Sequence, residues 1–316
     1  MELPKHAFFS GRIVPYSDAK IGLLTHTLNY GTGVFGGMRG YWNEEEQQMF
    51  VFRASDHFRR FRQSASLLSM TLPLSDDALT HALIDLLRAE NYKCDCYIRP
   101  FAYFTDEVIT SHLAALNPDI SMVAVAFPGL PHGGGLHLTV SGWRRVDDNM
   151  LPARGKIAGA YVNSFLAKTD SIQAGFDDAL LLNTDGHVAE ASVANFFLVQ
   201  NGIARTPPVS DNIVEGITRR TVAMLLKAEL GIEVEERAID RSEVYLADEA
   251  FVCGTAVEVA AVTRIDHRTV GGGGVGPITF SLADLYQRIV RGRIQKYLPF
   301  CSPVYHPMEA NENRIS

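Results

Sequence analysis

The sequence predicts an α+β fold in two parts, and three features carry that expectation. The first half mixes strand-like and helical segments without a regular strand–helix–strand alternation, which disfavours a doubly wound parallel sheet. A stretch dense in Gly and Pro, Pro128-Gly-Leu-Pro-His-Gly-Gly-Gly135, then interrupts the pattern. Beyond it, short extended runs separated by turn residues read as an antiparallel meander. The boundaries that follow are a smaller domain over 1–127, a linker over 128–135 and a larger domain over 136–316. A chain of 316 residues suits two cores at ~150 residues per domain.

Each element has a local reason. Phe8-Phe9 and Ile13-Val14 around Ser10-Gly11 read as a hairpin, and residues 49–52 as a strand after the acidic loop Glu44-Glu45-Glu46. Ser55 is predicted to cap a helix whose apolar stripe is Phe58, Phe61, Ala65 and Leu68. Ser75-Asp76-Asp77 opens a second helix carrying Leu79, Leu83, Leu86 and Leu87. Strands are expected at 96–104 and 120–127. Past the linker come strands at 179–182 and 196–199 with turns at 184–186 and 201–202. A helix over 216–230 stops at Gly231, and strands resume at 249–253 and 257–265. Gly271 to Gly274 suit a flexible hairpin tip, and the polar tail after Pro303 should fray.

Composition excludes several classes of function. The formal net charge is -7, with 29 basic against 36 acidic residues, which leaves no electrostatic footprint for nucleic acid and no polybasic stretch for a membrane surface. The start lacks a signal-peptide core, and no run of ~18 apolar residues occurs. Four scattered cysteines do not make a disulfide framework, and Cys94-x-Cys96 lacks a second ligand pair for zinc, so a reduced, cytoplasmic setting is expected. No His-x-x-x-His pair stands near an acid, so no metal is expected. Gly31-Thr-Gly33-Val-Phe-Gly36, with Asp56 about twenty residues on, imitates a dinucleotide fingerprint. It lacks the buried strand before it and the βαβ unit after it.

Lysine is scarce, occurring only at positions 5, 20, 93, 156, 168, 227 and 296, so few residues can perform amine chemistry. Lys156 alone is crowded by small residues, in Ala153-Arg-Gly-Lys-Ile-Ala-Gly-Ala-Tyr161, where a bulky cofactor could approach the backbone. Confinement away from water lowers an amine's pKa and makes it a nucleophile; on spacing alone, Lys156 could also be a solvated loop lysine. Downstream, Glu190 is a lone carboxylate among apolar residues and needs a cationic partner, either a protonated pyridine nitrogen or a structural arginine. Gly216-Ile217-Thr218 opens a helix and Gly254-Thr255-Ala256 follows a strand, and both can offer free N–H groups to a phosphate. Arg60 could add a charge-assisted contact. Amine, carboxylate and phosphate cradle together describe pyridoxal phosphate held as a Schiff base.

On these residues the chain resembles the fold-type IV pyridoxal-phosphate enzymes, and within them the bacterial branched-chain amino-acid aminotransferases. The likeness runs from about Phe9 to Tyr297 and includes Leu28-Asn-Tyr-Gly-Thr32, Tyr97-Ile-Arg-Pro100, the Lys156 stretch, residues 190–196, Gly216-Ile-Thr218, Tyr245-Leu-Ala-Asp-Glu249 and Gly254-Thr-Ala256. The resemblance implies a smaller α/β domain before a larger pseudo-barrel domain, an active site at a homodimer interface, and amino acids and 2-oxo acids as substrates. It implies that Lys156 binds the cofactor and moves the proton, Glu190 faces the pyridine nitrogen, and Tyr161 bonds the phenolic oxygen. Arg60, Ile217, Thr218 and Thr255 would hold the phosphate. Tyr97 with the Thr255-Ala256 turn would take the substrate α-carboxylate, and Tyr30 and Arg99 would border its side chain. Arg99 at the edge of an apolar wall could serve glutamate and leucine in turn.

Two segments depart from the family pattern. Gly36 stands where relatives usually carry glutamate, and residues 105–110 replace a glycine-containing loop over the substrate. A pocket wall reduced in this way would be wider or more neutral, which suggests a broader range of amine donors. Rivals on the same fold are a D-amino-acid aminotransferase, an (R)-selective amine transaminase and an aminodeoxychorismate lyase. The retained Tyr97 and Arg99 favour the branched-chain reading. A binding protein without activity would show no visible absorption band.

Overall fold

A computed structural model describes residues 2–130 and 134–305. The chain opens with the hairpin β1 (His6–Phe9) and β2 (Arg12–Pro15). Its turn residues Ser10 and Gly11 adopt φ of 48° and 77°, the left-handed pair that matches the twist of a two-residue hairpin. Then come α1 (His26–Tyr30), β3 (Val34–Phe35), β4 (Met38–Asn43), β5 (Gln48–Phe52), α2 (Ala54–Ser66), α3 (Asp76–Glu90), β6 (Cys96–Phe104) and β7 (Pro118–Ala126). After the expected linker, whose residues 131–133 lie outside the described residues, come β8 (Leu136–Arg144), α4 (Tyr161–Gln173), β9 (Asp178–Leu182), β10 (Val188–Ala191), β11 (Asn195–Gln200) and β12 (Ile203–Thr206). The chain continues through α5 (Ile217–Glu229), β13 (Val234–Glu236), β14 (Glu249–Gly254), β15 (Glu258–Ile265), β16 (Arg268–Thr269), α6 (Pro277–Val290) and β17 (Cys301–Pro303).

The strands form two sheets, and the fold is α+β. The first runs β17-β5-β4-β6-β7-β1-β2 with β3 on β6. The second runs β10-β9-β8-β15-β14-β11-β12-β13 with β16 on β15. Residues 128–135 separate the two sets of strands except for β17, which returns to pair with β5. The leucine stripe of α3 and the phenylalanine stripe of α2 bury completely against Met38, Ile98 and Met122 of the first sheet. A full burial of such a side chain stabilises by about 1.5–3 kcal/mol. A second core joins the sheets: Tyr41, Phe50 and Phe52 pack with Phe197 and Phe251 and with Leu225 and Leu282 of α5 and α6. This shared core fixes the relative position of the two sheets, and the candidate site lies where they meet.

Several sequence expectations need correction. The second sheet is mixed, not an antiparallel meander, since β8 runs parallel to β9 and β15 and β12 parallel to β13. Helices α4 and α5 make the crossovers that parallel neighbours require. Ser55 is not a cap: α2 begins at Ala54 after Arg53 in the left-handed region, with the Arg53 guanidinium on Asp56 at 2.6 Å. Gly271 to Gly274 lead from β16 into α6, and the hairpin tip is Asp266-His267 at φ 48° and 63°. The tail does not fray at once, because Val304 is buried and its N–H donates to Met49 O at 2.9 Å. Residues 306–316 of that tail lie outside the described residues. Helices α1, α4 and α6 and strand β8 were not anticipated. The glycine string is no dinucleotide turn: Gly31 closes α1 at φ 67° and the chain passes into the two-residue β3.

Candidate active site

Residues 31–35 and 156–159 lie side by side. Phe35 N–H donates to Lys156 O at 3.0 Å, Ala158 N–H to Gly33 O at 2.8 Å and Gly159 N–H to Gly31 O at 3.0 Å. The backbones touch where two glycines cross, for a Cβ on Gly31 would stand 3.1 Å from Gly159 Cα. Part of the small-residue crowding around the lysine therefore serves backbone packing. On its other side Lys156 N–H donates to Ser64 Oγ of α2 at 3.1 Å. The lysine is thus held by its main chain, and its side chain enters a cavity of ≈ 370 Å³.

Inside that cavity Lys156 Nζ donates to the hydroxyl of Tyr161, at the start of α4. It lies 5.0 Å from the Phe35 ring centre and 4.9 Å from that of Tyr161. Burial lowers the amine to about 7, and Arg60 and Arg99 push the same way against Tyr97 and Glu190. A large fraction is therefore neutral, and so nucleophilic, at neutral pH. Burial pushes the Tyr161 phenol up to about 12, so it stays protonated beside the amine.

Glu190 enters the same cavity from β10 and is fully partnered. Oε1 meets Arg145 Nη2 at 3.1 Å. Oε2 accepts from Asn195 Nδ2 at 3.0 Å and from Val214 N–H at 3.2 Å. Asn195 also donates to Val214 O at 2.9 Å, and Arg145 Nε to Asn212 O at 3.0 Å. Burial raises the Glu190 pKa, and Arg145 with the Val214 N–H opposes the rise. The sequence left open whether an arginine or a pyridine nitrogen would meet this carboxylate. An arginine does, and the carboxylate still lines the cavity.

The third wall is the start of α5. Gly216, Ile217 and Thr218 line the cavity with no side chain capping the helix, so first-turn N–H groups remain available. A Cβ at position 216 would come within 2.1 Å of Asn195 Oδ1, so a larger residue there would displace the amide that bonds Glu190. Arg60 Nη1 donates to Glu215 O at 3.2 Å, which places its charge at this helix end, where burial lowers its pKa. Thr255 and Ala256 line the cavity from the β14–β15 turn, with the Thr255 hydroxyl donating to Gly37 O at 3.2 Å. Tyr97 and Arg99 project from β6; Arg99 Nη2 donates to Tyr97 Oη at 3.1 Å and its guanidinium covers the Phe35 ring at 4.5 Å.

Lys156, Tyr161, Glu190, Arg60, Ile217, Thr218, Thr255, Ala256, Tyr97 and Arg99 thus meet in one cavity. Tyr30 does not line it; that ring is 49% exposed and rests 4.7 Å from His26. The 105–110 loop also lies against α1, where His26 N–H donates to Asp106 O at 2.9 Å, and not on the cavity wall. Gly36 is no wall residue either. Its N–H donates to Pro100 O at 2.8 Å, and a Cβ there would meet Pro100 Cγ at 2.6 Å. The inference that Gly36 widens the pocket loses its support, because position 36 points at Pro100 and its neighbours Phe35 and Gly37 line the cavity. Sequence reasoning missed Arg145, Asn195 and Ser192. The only available signal was that a buried Glu190 demands a cation, and 22 arginines could have supplied it.

The residues fit a phosphorylated pyridine aldehyde. A partly neutral amine can bond the aldehyde, a held carboxylate can meet a ring N–H, and a helix start with Arg60 can take a dianion. Ser192 Oγ lines the cavity, buried and without a hydrogen-bond partner among the described residues, as a group awaiting a ligand would be. Fold and cavity together define a site of the pyridoxal-phosphate enzyme class. The family model for class IV amino-transferases matches residues 33–265, and the chain belongs to that family. It is 48% identical over 300 residues to a probable branched-chain-amino-acid aminotransferase of Aquifex aeolicus, covering 95% of this chain and 96% of that protein. Among solved structures, the branched-chain aminotransferase of Thermoproteus uzoniensis with norvaline superposes with a TM-score of 0.91 at 40% identity, covering 96% of this chain and 100% of that one. The branched-chain amino acid aminotransferase of Thermobaculum terrenum in its PLP form gives 0.91 at 38% identity, covering 97% and 100%.

Proposed function

We propose that this chain is a pyridoxal-phosphate-dependent aminotransferase that moves the amino group of leucine, isoleucine or valine to 2-oxoglutarate. The observation that carries the reading is the pairing, in one cavity, of a partly neutral Lys156 against Tyr161 with a Glu190 held by Arg145 and Asn195. Pyridoxal phosphate, when bound, supplies an aldehyde that captures amines and a protonated ring that accepts the electron pair left at Cα.

The protein's part follows from its own groups. Lys156 Nζ would be the amine that holds the cofactor through its aldehyde and, once freed by the amino substrate, the base that carries the Cα proton. Glu190 would face the ring nitrogen and favour its protonated form, and Arg145 and Asn195 keep Glu190 in place. Tyr161, protonated beside the lysine, would donate to the phenolic oxygen of the bound cofactor. Arg60, the Ile217 and Thr218 backbone and Thr255 hold the phosphate. Tyr97 and the Thr255-Ala256 turn orient the α-carboxylate, which sets the Cα–H bond toward the lysine. Phe35 and Val125 give an apolar wall for a branched side chain, and Arg99 at its edge serves the second carboxylate of glutamate.

The working unit in this reading is at least a homodimer. Leu23, Leu24, Leu28, Tyr30 and Ile109 are all exposed on α1 and its neighbouring segments, an apolar face that a second copy would cover, bringing Tyr30 to the partner's pocket. The division into domains at 128–135 belongs to the same reading, as does a reducing, cytoplasmic setting for the four free cysteines. Among the described residues no helix is long and apolar enough to cross a membrane. Mixing the purified holoprotein with leucine should convert its resting absorption band to that of the aminated cofactor, and 2-oxoglutarate should restore it. A spectrum unmoved by leucine would overturn the assignment.

A further inference from the structure

One corner of the second sheet breaks the rule for its residue type. β14 and β15 are joined by Thr255-Ala256-Val257, and the ladder closes at Gly254 opposite Glu258. Glu258 adopts φ 57°, in the left-handed region that ordinarily takes glycine or asparagine. A glutamate persists there only if its surroundings over-determine it. They do: Oε1 meets Arg39 Nη1 at 2.7 Å and Oε2 accepts from Gln287 Nε2 at 2.5 Å.

Arg39 is itself clamped. Its side chain is 1% exposed, it lies between the rings of Tyr41 and Phe127 at 4.9 and 5.2 Å, and its Nη2 reaches Asp95 at 3.2 Å and Phe127 O at 3.1 Å. Asp95 is held in turn by Arg291 at 2.7 Å. Arg39 stands two residues after Gly37, whose carbonyl accepts the Thr255 hydroxyl. The 255–258 corner of the second sheet is therefore tied to the first at both ends, by Thr255 to Gly37 just before β4 and by Glu258 to Arg39 within it. Phe127 also packs edge-on against Tyr97 at 5.9 Å, which ties the same clamp to the phenol across the cavity.

We infer that Glu258 is a positioning residue for carboxylate recognition: its clamped carboxylate fixes the 255–257 turn so that the Thr255 and Ala256 N–H groups meet the substrate α-carboxylate beside Tyr97. The inference rests on the aminotransferase reading of the cavity. Glu258 does not line the cavity and would act only through the turn. Because every 2-amino and 2-oxo acid shares the α-carboxylate, the effect should not depend on the side chain of the substrate.

Glu258→Gly removes the carboxylate while supplying the residue that φ 57° suits, so any loss reports the clamp and not backbone strain. We expect KM for leucine and for 2-oxoglutarate to rise together by about tenfold or more, with kcat within about threefold, the size of a lost charge-assisted contact. Glu258→Gln, which keeps a hydrogen-bonding group, should fall between. In the cofactor-free protein, amide exchange at 254–257 should quicken in Glu258→Gly. A Glu258→Gly enzyme with wild-type KM values, or with a rise for one substrate only, would overturn the inference. If that variant does not fold, Arg39→Lys, which keeps the charge but loses the fork, should give the same paired rise. A wild-type protein inert toward leucine would refute the proposed reaction instead, and the amide-exchange comparison would still judge the clamp.

Discussion

Lys156 and Glu190 share one cavity and one penalty, since burial disfavours the charged form of each, yet the protein treats them oppositely. Among the described residues Lys156 has a single side-chain hydrogen-bond partner, a protonated phenol, and neighbouring guanidiniums that push its proton off further. Glu190 has a buried arginine, an amide and a backbone N–H, all of which hold its charge in place. The difference separates a group that must react from one that must hold a field steady. At equal burial it is the partner set, not the burial, that assigns the role.

The sharpest way to break this comparison is to remove the reacting amine. Lys156→Ala should lose at least about 10⁴ in turnover, because nucleophile and proton carrier vanish together. Rapid-mixing spectroscopy with leucine checks it, and a residual rate above a few per cent of wild type would move the chemistry to another residue. The holding group fails differently. Arg145→Met leaves Glu190 buried and unpaired and should destabilise the cofactor-free protein by about 3–5 kcal/mol in urea unfolding. Adding Glu190→Gln should recover much of that stability but not the activity, since the ring proton would still lack its carboxylate. Recovery of both would reduce Glu190 to a structural partner of Arg145.

The pH response sharpens the lysine half of the comparison. With Lys156 near 7, well below an ordinary amine, its neutral form gains population as pH rises through that value. Capture of unphosphorylated pyridoxal by the cofactor-free protein should therefore accelerate with a midpoint near 7 and level off above it. Arg60→Met removes a cation that disfavours the ammonium, so the midpoint should move to higher pH. Using pyridoxal without its phosphate keeps any role of Arg60 in phosphate binding out of the measurement. An unmoved midpoint would remove Arg60 from the causes and leave the depression to burial and Arg99.

How much of this was legible follows from the same contrast. Lys156 could be found because lysine is rare in this chain and the small residues around it are local in sequence. Glu190 could be found because a carboxylate among apolar neighbours is anomalous on its face. Arg145 could not: its meaning depends on a carboxylate 45 residues away across a parallel crossover, and no local pattern encodes that pairing. The stripes of α2 and α3 were plain, while α4, which opens directly from a tight turn with no side-chain cap, gave no start signal. Strand β8 was missed because its partners β9 and β15 are both distant in sequence. Gly36 was misread because sequence position gives no direction for an absent Cβ.

That last residue yields the smallest expected effect on catalysis, on the strip that backs Lys156. If the absent glutamate widened the pocket, Gly36→Glu would narrow the range of donors. The geometry forecasts otherwise, since the new Cβ would press on Pro100 at 2.6 Å, away from the cavity that Phe35 and Gly37 line. Gly36→Glu should therefore lower the unfolding free energy by about 1–3 kcal/mol, as overpacking does, through strain between β3 and β6. The ratio of kcat/KM for leucine to that for a primary amine lacking a carboxylate should stay within about twofold, since no wall residue changes. Because Phe35 N–H bonds Lys156 O, the strain could reach the lysine, and the pyridoxal-capture midpoint would then drift while the donor ratio stayed fixed. A shifted donor ratio with an unshifted midpoint would instead return Gly36 to the substrate pocket.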